Sequence, residues 1–456
     1  MPPAADANEA RTLLTNLAGK IHQVVESARA AASLRLTSKQ RWIHPDPTLY
    51  CRARPELSQC RPRAVMDQEL IQACAQKLFD EGIASTDEYG NASRMVEGLA
   101  YGPEILFDFV TRVLRGYAEK GVAFKAEEHV TAAVAYFFKT PIPSEARLWL
   151  DAITADETVV AGDLKFRPPT CADFEQRTTN QGAAAYQHSH VSCMADWHLR
   201  DQRNGGQVGP DRMVTALRLF RLGSVQAPRF EGLSLAFKSF NIYGGGRSLP
   251  VNFSYALRSD DGPELRTFLE TIPPLLPSKY QDPPPATDFF TTALNWYEQA
   301  MFSQGPPEAG VAWAVACLEA LYLGDNPNTE LNYRLGLRVA TLLRCFGFPP
   351  LAVKAGVKQV YEIRSKYVHG ALMPRKLDAA TKTSLFRMAA TYARVSLLAW
   401  RTLTRHDSRT DLLTLIENAI LDSDHQEKLK TKCDAVALPS MRFETSTGPQ
   451  ALEKAP

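Results

Sequence analysis

The sequence predicts a multidomain protein in which an α+β N-terminal region precedes an all-α helical bundle. The chain has 456 residues, more than one hydrophobic core of ordinary size accommodates. Apolar residues recur at steps of three and four from about 286 to 422, whereas 156–272 contains short segments of alternating polarity. Six of the thirteen residues in 273–285 are proline, which excludes a helix there and indicates a linker between the two regions.

The N-terminal region is predicted to change from helical to β-rich structure near residue 155. Residues 1–155 carry helical patterns at 8–34, 66–81, 103–120 and 126–138. Residues 156–272 are predicted to be β-rich or α+β, with strands at 158–161, 213–222, 233–243 and 251–257 and a helix at 262–272. We interpret 156–272 as a candidate sensor region.

The C-terminal region is predicted to be helical from 286 to 433, followed by a disordered tail at 434–456. Prolines and glycines separate its segments, and the short loops are typical of an up-and-down bundle. Gly370 is expected to end the fourth helix of this region. The predicted helices are 286–303, 306–323, 329–345, 351–369, 379–405 and 408–422.

Composition indicates a globular protein of a reducing compartment. Hydrophobic residues make up 45% and charged residues 22% of the chain, and the formal net charge is only +2. The eight cysteines are scattered without a Cys-x-x-Cys pair, so no disulfide framework is expected. Neither a secretory signal nor an apolar run long enough for a membrane span is present, and we expect a cytoplasmic protein without membrane contact.

One arginine in the predicted helix 351–369 lies where an apolar residue is expected. At about 100° per residue, Arg364 projects onto the face that carries Val353, Val357, Val360, Tyr361 and Val368. A charge on an apolar face is costly unless it is paired or opens onto a cleft. Glu319, in an apolar stretch of the helix 306–323, is the expected partner, and His369 then caps the helix end.

The region around Arg364 is also strongly basic. From residue 334 to residue 376 there are nine lysines and arginines but only one acidic residue, Glu362. This asymmetry, in a chain that is balanced overall, indicates an anionic partner, for which phosphate is the usual candidate. Pairing of Arg364 with Glu319 and binding of Arg364 to phosphate therefore remain alternatives at this point.

The segment Arg364-Ser365-Lys366-Tyr367-Val368-His369 lies at a helix end before a glycine. On this motif, the chain from about 286 to 435 resembles the HEPN superfamily, and most closely its Apea-like branch, whose pattern is an arginine, four to six intervening residues and then a histidine. The resemblance implies a metal-independent endoribonuclease in which Arg364 stabilises the phosphoryl group and His369 transfers protons. It does not extend to residues 1–285.

The resemblance also implies secondary residues and partners. Substrate contacts are expected from Ser365, Lys366 and Tyr367, and supporting roles from Glu319 and Arg338. RNA is the expected partner, and a homodimer through the C-terminal region is expected to bring two motifs together. The Apea-like branch further implies bacterial defence against phage by RNA cleavage that stops growth, with a phage-derived trigger acting on the N-terminal region.

Two further readings of the sequence are kept beside the nuclease. The alternative function is a non-catalytic helical scaffold that binds RNA, nucleotide or protein, with Arg364 held by Glu319. His188, His190, Cys193 and His198 are residue types that bind zinc, but their spacing matches no zinc pattern, so no metal and no cofactor are predicted.

Overall fold

The computed structural model describes sixteen stretches of the chain, and every structural statement below concerns these residues. The described residues are 7–32, 84–86, 92–94, 109, 112–114, 116–117, 121–137, 144–170, 173, 191–199, 209–233, 241–243, 251–277, 288–323, 330–370 and 378–439. The predicted helix 66–81, most of the linker 273–285 and residues 440–456 of the predicted tail lie outside them.

The secondary structure follows the predicted order of an α+β region and then an all-helical region. Residues 146–275 form an α+β region with an antiparallel sheet, and residues 289–433 are all-helical, which confirms the predicted fold class. The strands are β1 Ala84–Thr86, β2 Ala92–Arg94, β3 Ser144–Asp151, β4 Ile153–Ala155, β5 Val159–Ala161, β6 Leu164–Arg167, β7 Cys193–Leu199, β8 Gln226–Leu233, β9 Asn241–Tyr243 and β10 Tyr255–Leu257. The helices are α1 Ala7–Ala32, α2 Ala126–Phe137, α3 Pro210–Phe220, α4 Gly262–Thr271, α5 Phe289–Met301, α6 Pro307–Tyr322, α7 Leu331–Arg344, α8 Pro350–Val368, α9 Ala379–Leu403, α10 Arg409–Leu421 and α11 Ser423–Cys433.

The chain forms two compact units. The first comprises 1–149, 169–207 and 228–246, and the second comprises 150–168, 208–227 and 247–456. Within the first unit α1 packs against α2, and Arg11 on α1 donates to the hydroxyl of Thr131 on α2 at 3.0 Å. Two antiparallel pairs also lie in this unit, β1 with β2 and residues 229–231 of β8 with β9.

In the second unit, α3 replaces a predicted strand. The prediction of a strand at 213–222 is wrong, because this segment belongs to the helix Pro210–Phe220, which begins with a proline at its first turn. Residues 213–220 are all buried, so the alternation of polar and apolar residues does not mark a solvent face. Arg218 and Arg221 are buried because each is paired, with Glu298 and Asp261 respectively.

Helix α3 is held against the helical bundle of the same unit by hydrogen bonds to its backbone. The buried guanidinium of Arg394 on α9 donates to the carbonyls of Leu219 at 2.9 Å and Phe220 at 3.1 Å. The hydroxyl of Tyr297 on α5 donates to the carbonyl of Arg218 at 3.0 Å. These donors satisfy carbonyls at the C-terminal end of α3, where no intrahelical partner exists. The end of α3 is therefore a fixed part of the bundle.

The second unit also contains two strand pairs. β5 and β6 form an antiparallel hairpin, with Val159 opposite Phe166. β10 runs parallel to β4, with Tyr255 opposite Ile153. Sequence analysis did not predict β3, β4 or β7, and of the predicted strand 251–257 only Tyr255–Leu257 is a strand.

The helical bundle consists of α5 to α11, and four of these helices start at a side-chain cap. Asp288, Asp378, Ser408 and Asp422 each accept a hydrogen bond from a backbone amide in the first turn of the following helix. Helix α6 packs against α5, α8 and α9, so it lies at the centre of the bundle. The first six helices match the predicted ones to within a few residues, while α11 was not predicted as a separate helix.

Candidate active site

The residues of the Arg–His motif lie in the last turn of α8 and directly after it. The helix begins at Pro350, whose missing amide costs nothing at that position. His369 is the C-cap, and its amide donates to the carbonyl of Ser365 at 3.1 Å. Gly370 follows with φ of 65°, a left-handed conformation that glycine adopts without strain, so the predicted end of the helix is confirmed.

The apolar face of α8 is buried as far as its last turn. Val353, Val357, Val360 and Ile363 are buried against the bundle. Val368 is exposed, so its predicted place on the buried face is wrong. A helical projection gives the direction of a side chain but not the point at which the neighbouring helices cease to cover it.

Arg364 is paired with Glu319, as one of the two alternatives predicted. Its Nη2 donates to Oε2 of Glu319 on α6 at 3.0 Å, and the two side chains are 27% and 19% exposed. Tyr361, one turn earlier on α8, also hydrogen-bonds Glu319 and lies beneath the guanidinium, with 5.9 Å between Cζ of Arg364 and the ring centroid. The pair is therefore neither fully buried nor freely solvated.

Burial dominates the ionisation of Glu319. Desolvation raises the pKa of this carboxyl above its ordinary value, and the opposing effects of the Arg364 charge and of hydrogen bonds from Arg364 and Tyr361 do not cancel it. Burial and the nearby Glu319 likewise raise the pKa of Tyr361. The three side chains form one electrostatic cluster, in which Arg364 has N–H groups beyond the one bonded to Glu319.

His369 and the predicted substrate contacts are more accessible than Arg364. Ser365 and Lys366 are half-buried, while Tyr367 and His369 are exposed. His369 lies five positions after Arg364, which corresponds to about 140° of helical rotation. One copy of α8 thus presents the arginine towards α6 and the histidine at the exposed end of the helix.

Arg338, predicted as a supporting residue, is engaged at a different contact. It is buried on α7, where its guanidinium binds the carboxylate of Glu417 on α10 and the backbone carbonyl of Tyr322. This cluster joins α6, α7 and α10 and shares no partner with Arg364. The structure therefore gives Arg338 a role in holding the bundle together.

Two other members of the basic segment are in contact with neighbouring side chains. Arg334 lies 3.8 Å from Glu417, and the ammonium group of Lys354 lies 4.7 Å from the ring centroid of Tyr333. Arg344 and Lys358 are exposed, while Arg375 and Lys376 lie outside the described residues. The positive charge that remains at the surface is smaller than the sequence count alone indicates.

An open pocket of about 540 Å³ lies beside the last turn of α8. Tyr367 lines it from α8, Trp313 from α6, and Phe302 from the loop after α5. The ring of Trp313 is stacked on that of Trp296, with centroids 5.1 Å apart and planes 2° apart. Sequence analysis missed both this pocket and the role of Tyr361, although Tyr361 precedes Arg364 by three residues and therefore shares its face.

The candidate zinc ligands do not converge where they are described. Cys193 is buried and His198 exposed on β7, and an odd separation along a strand directs them to opposite faces. His188 and His190 lie outside the described residues. Among the residues that the structure describes, no group of three or more histidines, cysteines and carboxylates could hold a metal ion.

Of the helices in the described part of the chain, none is long and apolar enough to cross a membrane. Comparisons with protein-family models, with curated proteins and with solved structures found no match.

Proposed function

We propose that the chain is a metal-independent endoribonuclease of the HEPN type, with Arg364 and His369 as its catalytic residues. The observation that carries the proposal is the arrangement at the end of α8. A half-buried arginine is held in place by Glu319 and Tyr361, and an exposed histidine follows at the C-cap. A permanently charged, oriented guanidinium and a solvent-accessible imidazole are the groups that phosphodiester transfer without a metal requires.

In the proposed reaction the 2′-oxygen of a ribose attacks the adjacent phosphorus. The O2′–P bond forms, the P–O5′ bond breaks, and the 2′-hydroxyl proton is in net transferred to the leaving 5′-oxygen. His369 carries out proton transfer, since an imidazole gives and takes protons near neutral pH. Arg364 stabilises the charge that develops on the phosphoryl oxygens through its remaining N–H groups.

The proposal includes a homodimer through the C-terminal region. One arginine and one histidine make a sparse site, and about 140° of helical rotation separates them on a single α8. The exposed end of α8, formed by Val368 and His369, is the surface through which a second copy completes the site. A strict monomer at micromolar concentration in sedimentation would contradict this part of the proposal.

The biological part of the proposal is defence against phage in the bacterial cytoplasm. Among the described residues, Cys317, Cys345 and Cys433 are free thiols, which fits a reducing compartment. Residues 1–272 are then the region on which a phage-derived trigger acts. Expression of the wild-type chain with and without phage infection, scored by growth and by integrity of cellular RNA, tests this part.

A non-catalytic scaffold is the second candidate, and the Arg364–Glu319 ion pair is the observation in its favour. If Glu319 neutralises Arg364 permanently, α8 needs no substrate to balance the charge. The residue His369 discriminates between the two candidates, because it has no structural side-chain partner among the described residues. A scaffold therefore tolerates its loss, whereas the nuclease does not.

RNA cleavage by matched histidine variants tests the proposed function. We expect His369→Ala and Arg364→Ala to abolish cleavage of single-stranded RNA. His406→Ala is the control, because His406 is also an exposed histidine just beyond the end of a helix, α9. Unchanged cleavage by His369→Ala contradicts the nuclease, and loss of cleavage in EDTA would indicate a metal-dependent reaction instead.

A further inference from the structure

We infer that the pocket beside Tyr367 binds one unpaired base of an RNA strand, next to the phosphate at Arg364. This inference rests on the proposed function, since it names a binding subsite of the same active site. Four features of the pocket carry it: aromatic walls, a floor without net charge, a polar rim, and its position relative to the Arg364–Glu319 pair.

The walls of the pocket are suited to a flat ring. Trp313, Phe302 and Tyr367 line it, and the parallel contact of Trp313 with Trp296 fixes the orientation of the indole. Tyr367 is 39% exposed, so a ring can stack on it without displacing core residues. The volume of the pocket, about 540 Å³, lies within the usual range for small-ligand pockets and exceeds what one base requires.

The floor of the pocket favours a neutral ligand over an anion. Arg218, the arginine that lines it, is bound to the carboxylate of Glu298, and its Nε donates to the carbonyl of Val225 at 2.6 Å. Both charged side chains are mostly buried and cancel each other. A phosphate entering here meets no uncompensated cation among the described residues, whereas a base brings no charge.

The rim of the pocket offers hydrogen bonds to the edge of a base. Gln299 and Gln304 line it and are exposed, and neither amide is bonded to another described residue. An amide side chain presents a donor and an acceptor together, as the edges of bases do. Stacking on the walls with polar contacts at the rim is the usual manner in which proteins hold unpaired bases of RNA.

The same two helices carry both the pocket and the catalytic arginine. Trp313 and Glu319 are six residues apart on α6, or about 9 Å along its axis. On α8, Tyr367 follows Arg364 by three residues, so the two side chains are neighbours on the helix surface. A base on Tyr367 and Trp313 therefore places the phosphate of the same strand near Arg364.

Binding of labelled RNA to a cleavage-deficient chain tests this inference. The probes are 5′-fluorescein octaribonucleotides of A, C, G or U, and the full-length His369→Ala chain is the background. We expect Tyr367→Ala to weaken binding of at least one homopolymer about fivefold to a hundredfold, the range for loss of one base-stacking aromatic. Trp313→Phe, which keeps an aromatic ring in the wall, is expected to weaken binding of the same homopolymer less than Tyr367→Ala does.

Two controls separate stacking from charge and RNA from free nucleotide. Tyr333→Ala removes another exposed tyrosine and is expected to leave binding unchanged. The slope of log affinity against log salt is expected to stay constant in Tyr367→Ala, since counterion release follows phosphate contacts. Nucleoside 5′-monophosphates serve as competitors. If they bind the chain while Tyr367→Ala leaves RNA binding unchanged, the pocket is assigned to a free nucleotide and the inference is overturned.

The failure of this inference and that of the proposed function are distinguishable. If cleavage depends on His369 but Tyr367→Ala binds every octamer as Tyr333→Ala does, the base subsite is wrong and the nuclease stands. If the wild-type chain does not cleave RNA but the Tyr367 effect with a constant salt slope is present, the subsite stands as part of an RNA-binding scaffold.

Discussion

Replacing Arg364 is predicted to destabilise the protein more than replacing Glu319. Arg364→Met leaves the Glu319 carboxylate desolvated without a cation, whereas in Glu319→Gln the amide oxygen still accepts hydrogen bonds from Arg364 and Tyr361. Removing one partner of a fully buried pair costs about 3–5 kcal/mol, and exposed pairs contribute about 0–1 kcal/mol. With exposures of 27% and 19%, we expect about 1–3 kcal/mol for Arg364→Met and less than about 1 kcal/mol for Glu319→Gln.

The cost of Arg364→Met is predicted to depend on pH in a defined direction. The pKa of Glu319 is raised above its ordinary value of 4.5, chiefly by burial, and loss of Arg364 removes an effect that lowers it. An acid whose pKa is raised on folding contributes stability below its unfolded pKa, and loses that contribution as pH rises through the folded value. Arg364→Met is therefore expected to lose less stability at pH 5 than at pH 8.

A double-mutant cycle on the full chain measures this coupling. Urea unfolding of the wild type, the two single variants and the double variant is expected to give a coupling energy of about 1–2 kcal/mol at pH 7. Arg266 and Glu270, an exposed pair with 2.8 Å between Nε and Oε1, provide the control cycle, for which a smaller coupling is expected because solvent screens both charges. The reasoning would be refuted if the coupling energy of Arg364 and Glu319 were no larger than that of the control pair. It would also be refuted if Arg364→Met lost more stability at pH 5 than at pH 8.

Two predictions concern other parts of the second unit. Asp261→Ala, which leaves Arg221 buried without its partner, is expected to lower the free energy of unfolding by about 3–5 kcal/mol in urea titrations. Burial opposes ionisation of Asp261, but hydrogen bonds from Arg221 and the Arg258 amide lower its pKa. The stability that Asp261 contributes is therefore lost as pH falls below the ordinary value of 3.8. Equal acid sensitivity of the variant and the wild type would contradict this. A hydrogen bond from Cys433 lowers the pKa of the half-buried Cys345. The thiols of Cys317 and Cys433 are buried, and their pKa values are raised. Native alkylation followed by mass spectrometry should therefore modify Cys345 first, and earlier labelling of Cys317 would be evidence against this packing.

The helical region could be predicted from sequence because its helices begin and end at local signals. Asp288, Asp378 and Ser408 cap helices, and Gly370 ends one, through interactions within a few residues. The alternation around Arg218 predicts a half-buried strand, whereas the segment is a helix whose residues 213–220 are all buried. Its burial depends on carboxylates 80 and 40 residues away, Glu298 and Asp261, which no local pattern reveals.

The candidate site shows the same division between local and distant information. Glu319 could be predicted as the partner of Arg364, since both are charges on apolar helix faces, and the structure has the pair. The partner of Arg338, Glu417, lies 79 residues further along on an exposed position of α10, so the sequence offered no reason to choose it. The pocket between α5, α6 and α8 likewise depends on how three helices pack.

Cleavage of a strand that contains a single ribose tests the central claim most directly. The substrate is a DNA oligonucleotide with one internal ribonucleotide, compared with the all-deoxy strand of the same sequence. The proposed reaction predicts one cut, 3′ to the ribose, with a 2′,3′-cyclic phosphate on one product and a 5′-hydroxyl on the other, and no cut in His369→Ala. Cleavage of the all-deoxy strand, or an unchanged cut in His369→Ala, would contradict the assignment of Arg364 and His369 as a ribonuclease site.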